Sequence, residues 1–129
     1  MDIQFCAEEL AFRDEVRIFI RDNLPNDLAE KVRRGLHLGK DDYVYWQKKL
    51  NEQGWFAPHW PKELGGTEWS GAQHYIFQNE QVAGDCPSVI PFGVRMVAPV
   101  IFTYGTDEQK KLFLPGIMDS SIWWCQGYS

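Results

Sequence analysis

Residues 7–24 of the chain read AEELAFRDEVRIFIRDNL. Apolar side chains recur there at intervals of three and four positions, at Phe12, Val16, Phe19 and Ile20. This spacing is typical of an amphipathic α-helix that turns one apolar stripe toward a core. Because proline lacks an N–H and disfavours the helical conformation in the residue before it, Pro25 predicts that this helix ends before it.

The next two helices are marked by their first residues. Asn26 is a favourable N-terminal cap and predicts a short helix toward Arg34. The acidic pair Asp41-Asp42 favours the start of a third helix, whose predicted buried stripe consists of Tyr43, Trp46 and Leu50. Gly54 stands where a left-handed residue would end that helix.

Two further helices are predicted in the second half of the chain. Ser70 can cap a fourth helix that reaches Ala83 and ends at Gly84, with Tyr75, Val82 and Ala83 as its expected inward residues. A fifth helix is expected within Pro91–Tyr104, which is apolar nearly all round and is therefore predicted to lie centrally. Within it, Pro99 either kinks the helix or restarts it.

A capping box of Thr106 and Gln109 predicts a sixth helix that Pro115 stops. The run 122–128 is rich in β-branched and aromatic residues and predicts a strand. No second strand precedes it to satisfy its backbone groups. The predicted fold is thus all-α: a bundle of five to six helices in residues 1–121, followed by a short extended tail, 122–129, that would begin a β domain.

Composition narrows the class of protein. The 129 residues are 44% hydrophobic and 15% aromatic, which predicts a dense core. A net charge of −5 leaves no basic face for nucleic acid. The three cysteines and three histidines have no disulfide or metal-ligand spacing, so reduced thiols and no metal are expected. The acidic start and the interrupted apolar run 88–104 predict a cytoplasmic protein with neither a secretory signal nor a membrane span.

The stretch between Trp55 and Gly71 combines prolines, glycines and three tryptophans. It predicts a rigid, structured loop packed by large rings. The pair Gly65-Gly66 does not lie between a strand and a helix, so it is interpreted as part of a turn and not as a phosphate cradle.

Four short motifs occur in the order and spacing of one enzyme family: Gly54-Trp55, WPKELGG at 60–66, GTDEQKK at 105–111 with Phe113-Leu114-Pro115, and WCQGYS at 124–129. With them the chain resembles the N-terminal helical domain of the acyl-CoA dehydrogenases. The resemblance implies a three-part enzyme, in which residues 1–121 form the helical front domain and residues 122–129 start the middle β domain.

The resemblance also implies an activity for the whole protein in fatty acid metabolism. An FAD-dependent oxidoreductase of this family oxidises an acyl-CoA thioester to the 2,3-enoyl-CoA and passes electrons to an electron-transfer flavoprotein. The expected assembly is a homo- or heterotetramer. The catalytic base of the family belongs to a later domain, so no catalytic residue is assigned here, and the chain alone is expected to be inactive and not to bind FAD.

Five residues are carried over as candidate site residues. Gln126, Tyr128 and Ser129 match the family strand whose backbone amides and side-chain hydroxyl meet the flavin, although Gln126 stands where the family often has Tyr. Phe92 and Met96 match the helix that walls the acyl pocket. The alternative interpretations are a strand that merely joins domains and, for the two wall residues, ordinary core packing.

Two other functions fit parts of the pattern. A helical protein-interaction module could bind a partner through the Trp-rich loop, which would require its tryptophans to be exposed. A flavin oxidase or monooxygenase of the same superfamily would share this front domain. Buried Trp55, Trp60 and Trp69 would argue against the first of these alternatives.

Overall fold

The structure, a computed structural model, describes residues 4–128. Its regular elements in that range are all helical, and no strand occurs among the described residues. The elements are α1 (Ala7–Asn23), α2 (Asn26–Arg33), α3 (Lys40–Glu52), a 3-10 turn (Lys62–Leu64), α4 (Gly71–Ala83), a π-helix (Phe92–Val97), α5 (Ala98–Tyr104) and α6 (Asp107–Met118). The predicted all-α class and the predicted number of helices are confirmed.

Contacts divide the described chain into two compact units, each built from two stretches of sequence. The first comprises residues 4–42 and 69–87, and the second comprises residues 43–68 and 88–128. The chain passes from one unit to the other within α3.

The first unit is built on the pairing of α1 with α4. The predicted stripe of α1 is confirmed, since Phe12, Val16, Phe19 and Ile20 are all buried. A bidentate ion pair joins the two helices, in which Arg17 donates to both carboxylate oxygens of Glu80 at 2.8 and 3.0 Å. Trp69 packs against both helices, with its ring centroid 5.1 Å from that of Phe12 in α1 and 4.9 Å from that of Phe77 in α4.

The predicted inward face of α4 is wrong. Tyr75 and Val82 are 60% and 79% exposed, Ala83 is also exposed, and the buried residues are Ile76 and Phe77. Apolar side chains occur on several sides of this helix, and the contact with α1 decides which of them is covered. The predicted N-cap Ser70 is confirmed, because its hydroxyl accepts from the Gln73 backbone N–H.

The start of α2 differs by one residue from the prediction. Pro25, with extended backbone angles, is the cap residue, and Asn26 is already helical. The Pro25 carbonyl accepts from the Ala29 N–H at 3.0 Å and closes the first turn. At the start of α3, Asp42 accepts from the Gly39 N–H and from Lys31, and these two bonds lower the pKa of its carboxyl.

In the second unit, α3 buries Trp46, Gln47 and Leu50, whereas Tyr43 is only half-buried. The capping box of Thr106 and Gln109 is present at the start of α6, as predicted. The prediction that Pro115 stops this helix is wrong, because α6 runs through it to Met118. Because Pro115 has no N–H, the Lys111 carbonyl loses its helical donor. Lys111 is exposed, so water can hydrogen-bond to this carbonyl instead.

The predicted fifth helix consists of two elements, the π-helix and α5, and Pro99 lies in the first turn of α5. The expectation that this segment lies centrally is wrong. Val94 and Ala98 are buried, but Val100 and Tyr104 are 56% and 83% exposed. Ile101 and Phe102, in the same segment, are half-buried.

After α6 the tail 122–128 has neither helical nor strand pairing among the described residues. The predicted strand is therefore not formed, since no neighbouring strand offers it backbone partners.

No helix in the described part of the chain has both the length and the apolar character needed to cross a membrane.

Candidate functional site

The part of the Trp-rich loop that belongs to the second unit, residues 55–68, forms a tight turn at residues 60–66. The Pro61 carbonyl accepts two backbone N–H groups, from Leu64 at 2.9 Å and from Gly66 at 3.0 Å. Gly65 has a φ of 101°, which suits glycine alone, and a Cβ at Gly66 would overlap the Trp60 carbonyl oxygen. Both glycines therefore serve the turn, as the sequence predicts.

This turn anchors Trp60 beneath the π-helix. Trp60 is buried, and its indole N–H donates to the Val94 carbonyl at 2.8 Å. Its ring also packs edge-on against Phe102, with centroids 5.9 Å apart. The loop thus contacts both halves of the segment that was predicted to carry the acyl wall.

A buried glutamine joins three elements of the same unit. Gln47 of α3 donates to the Ser120 hydroxyl at 3.0 Å, and its amide oxygen accepts from the Ile90 N–H at 2.9 Å. Gln47 and Ser120 are 4% and 6% exposed. Gln47 therefore fixes both the segment that enters the π-helix and the residue from which the tail departs.

Sequence reasoning missed Gln47, although a signal was present. Gln47 lies four residues after Tyr43 and three before Leu50, so it occupies the apolar stripe of α3. A polar residue on such a stripe calls for hydrogen-bond partners in the core. Its partners lie 43 and 73 residues away in the chain, and local patterns do not identify them.

A backbone turn at Ser120 and a hydrogen bond from Ile122 set the path of the tail as it leaves α6. Ser120 adopts a left-handed φ of 62°, and the Ile122 N–H donates to the Gly116 carbonyl at 3.0 Å. Trp124 packs edge-on against Phe113 with ring centroids 5.6 Å apart. The Trp124 indole N–H is buried and has no hydrogen-bond partner among the described residues, an arrangement that costs free energy unless a further group accepts it.

Two of the predicted site residues meet. The Gln126 side-chain amide donates to the Met96 sulfur at 3.4 Å, and both residues are exposed. Phe92 is half-buried at the start of the π-helix, and Tyr128 is 87% exposed. Ser129 lies outside the described residues. The residue expected at the flavin thus adjoins a residue expected at the acyl wall.

An apolar cleft of about 250 Å³ lies beside the tail. It is lined chiefly by α5, α6 and the tail, including Val97, Ile101, Phe113 and Trp124. This cleft therefore suits an apolar ligand with a few polar atoms.

Asp119, at the end of α6, is poorly suited to act as a base for proton abstraction. The pKa of Asp119 is lowered, mainly by hydrogen bonds from the side chain and backbone N–H of Ser121. A carboxylate that must remove a weakly acidic proton benefits from a raised pKa instead. Within residues 4–128, no three histidine, cysteine, aspartate or glutamate side chains cluster as metal ligands would.

Comparison with known proteins gives a consistent result. The sequence profile described as "Acyl-CoA dehydrogenase, N-terminal domain" matches residues 7–121. A curated relative, the acyl-CoA dehydrogenase IpdE1 of Mycolicibacterium smegmatis, is 37% identical over 125 residues, which cover 92% of this chain and 31% of that protein. The chain therefore spans about a third of the length of this relative.

Solved structures agree with the sequence match. The ChsE4-ChsE5 complex from Mycobacterium tuberculosis contains a chain that superposes with a TM-score of 0.74 at 30% identity, over 95% of this chain and 30% of that one. The Tcur3481-Tcur3483 steroid ACAD gives a TM-score of 0.73 at 34% identity, over 95% of this chain and 31% of that one.

Proposed function

This chain belongs to the acyl-CoA dehydrogenase family, and we propose that it is the front part of an FAD-dependent enzyme that oxidises an acyl-CoA thioester to the 2,3-enoyl-CoA. In this proposal residues 1–121 are the N-terminal helical domain, and residues 122–129 begin the middle β domain. The observation that carries it is the contact between Gln126 and Met96, supported by the family match over residues 7–121.

The tail has the donors that a flavin edge requires. The backbone of residues 125–128 makes no hydrogen bond to the backbone of any other described residue. The space next to Gly127 is open. The backbone amides of this stretch and the Gln126 amide can therefore donate to ring oxygens and nitrogens. Residues 126, 128 and 129 would hold the ring edge, and FAD would supply the acceptor for the hydride that leaves the substrate.

The helical wall has a separate task. Phe92 and Met96 supply apolar surface for the acyl chain, and a methionine side chain adapts readily to the shape of its neighbour. Excluding water on this side strengthens the electrostatic interactions that polarise the thioester. The α proton goes to a carboxylate outside this chain, so we expect the chain alone to show no turnover.

The named relatives suggest a substrate class and an assembly. Two similar structures are two-component complexes, and one of them is described as a steroid ACAD. We therefore propose a bulky, steroid-bearing acyl-CoA as substrate, a heteromeric assembly with a second chain of the family, a cytoplasmic location, and an electron-transfer flavoprotein as acceptor.

The test uses the full-length protein, expressed with and without a co-encoded family member. We expect a bound flavin with its visible absorbance and reduction of a dye acceptor by acyl-CoA, with a steroid acyl-CoA preferred over octanoyl-CoA. The matched control is the 129-residue chain, which should reduce no dye. Full-length protein that binds no flavin would overturn the proposal.

The same assay separates the superfamily alternative. An oxidase or a monooxygenase would consume oxygen with the substrate, and an oxidase would release hydrogen peroxide. Oxygen uptake equal to the loss of substrate would show that the full-length protein is an oxidase or a monooxygenase and not a dehydrogenase.

The interaction-module alternative is disfavoured by burial of the loop tryptophans. Trp55 and Trp60 are 7% and 5% exposed, and Trp69 is half-buried against Phe12 and Phe77. A docking surface made of these rings would need them at the protein surface.

A further inference from the structure

The π-helix has a hydrogen-bonding gap at one carbonyl. In a π-helix each N–H donates to the carbonyl five residues earlier, and the Ala98 N–H follows this rule by donating to Gly93. The next donor in the same register would come from residue 99 and would reach Val94. Residue 99 is proline, which has no N–H.

Trp60 fills this gap. Its indole N–H donates to the Val94 carbonyl at 2.8 Å, and both residues are buried. Ala98, which would serve that carbonyl in an α-helix, is engaged with Gly93 instead. Without the indole, the carbonyl would have to remain unpaired or take the Ala98 N–H, which would convert the π-turn to an α-turn.

Such a conversion would displace the acyl wall. An α-helix turns by about 100° per residue, and a π-turn contains one residue more than an α-turn. Converting the π-turn to an α-turn would therefore rotate the residues before the turn relative to those after it by about 100°. Phe92 and Met96 lie within the π-helix, on either side of Val94. The wall residues thus keep their directions as long as the Val94 carbonyl stays occupied.

We propose that Trp60 is a positioning residue, which acts through the Val94 carbonyl to hold the π-turn and thereby orients Phe92 and Met96 toward the acyl chain. The second half of this statement rests on the proposed function, whereas the first half does not. Pro99 is its counterpart, because it leaves the carbonyl free for Trp60. The pair Trp60 and Pro99 should therefore be energetically coupled, although the two residues are 39 positions apart in the chain.

Three variants of the full-length protein test the coupling: Trp60→Phe, Pro99→Ala and the double variant. Trp60→Phe should speed amide hydrogen exchange in residues 92–104 by roughly tenfold or more, since a buried carbonyl loses its donor. Pro99→Ala supplies an N–H that can reach Val94 in the π register. The double variant should therefore return to within about threefold of the parent rate, and the amide that it gains at position 99 should exchange slowly.

The matched control is Trp55→Phe, which removes another buried indole of the same loop. Pro99→Ala should not rescue it. Equal exchange rates in Trp60→Phe and in the double variant would overturn the proposal, as would an unchanged rate in Trp60→Phe. If Trp60→Phe does not fold, a double variant that does fold would support the coupling. A double variant that also fails to fold, while Pro99→Ala folds, would overturn it.

Kinetics then test the wall, independently of exchange. Trp60→Phe should raise the KM for the acyl-CoA at least several-fold while kcat changes less, and the double variant should restore KM. An unchanged KM in a variant whose exchange has accelerated would overturn the positioning role. Absence of turnover in the parent protein would count against the proposed function and leave the exchange result standing.

Discussion

At the scale of single residues, the turn at 60–66 depends on the absence of a side chain. Gly66 lies so close to the Trp60 carbonyl that a Cβ would overlap the oxygen, while Gly71, a few residues later, has open space around it. The two positions look alike in the sequence. They differ in the backbone that surrounds them.

Gly66→Ala should destabilise the protein by about 3 kcal/mol, because the overlapping atom is backbone and cannot swing away. Gly71→Ala should change the free energy of unfolding by less than about 1 kcal/mol, since alanine suits a helix start. Urea unfolding of both variants measures the difference. Equal effects at the two positions would contradict this account of the turn.

The cysteines are predicted to differ in reactivity. Burial, reinforced by the neighbouring Asp85, raises the pKa of the Cys86 thiol to about 12, so at pH 8 it stays protonated. Cys6 and Cys125 are exposed. Alkylation at pH 8 should label two thiols per native chain and three after denaturation. Rapid labelling of Cys86 in the native protein would contradict this.

At the scale of elements, the sequence predicts the capped starts of α4 and α6 better than it predicts which face of α4 is covered. Capping by Ser70 and Thr106 depends on a partner three residues away, so the motif can be recognised locally. The covered face of α4 depends on α1, whose Arg17 contacts Glu80 from 63 positions earlier, and the prediction of that face failed. The site has the same property, because the Gln126–Met96 contact spans 30 residues.

Gln47 is hydrogen-bonded to Ile90 and Ser120, which no local sequence pattern relates to it. Gln47→Leu keeps the volume but leaves the Ile90 N–H without its acceptor, so we expect a loss of about 1–3 kcal/mol in the free energy of unfolding. Gln53→Leu, at an exposed position just after α3, serves as the control and should have little effect. A comparable loss in both variants would indicate a general effect of removing polarity. Thermal or urea unfolding distinguishes the outcomes.

At the scale of the whole molecule, motifs identified the family and the all-α class, but not the division into two units. Each unit joins two separate stretches of chain, and the pairing between stretches is decided by long-range contacts. Residues 43–68 carry both the loop motifs and Gln47, and they belong with the tail rather than with α1. The described candidate site residues, Phe92, Met96, Gln126 and Tyr128, therefore all lie within the second unit.

The exposed apolar residues of the tail predict self-association of the 129-residue chain. Ile122 and Trp123 are 40% and 37% exposed, and Tyr128 is 87% exposed. At about 25 cal/mol per Å² of apolar surface, covering these groups favours pairing with a second copy. Sedimentation should show a concentration-dependent dimer that disappears when residues 122–129 are removed. A monomer at all concentrations would disprove the idea.

The pairing of α1 with α4 has a consequence for synthesis. The Arg17–Glu80 pair joins residues that are 63 positions apart, and α1 cannot cover its apolar stripe until α4 has been made. Ribosomes add roughly 5–20 residues per second, so this stripe waits on the order of 3–13 s for its partner. During that interval the nascent chain presents Val16 and its neighbours to the cell, and a chaperone acting on the emerging N-terminus would protect it then.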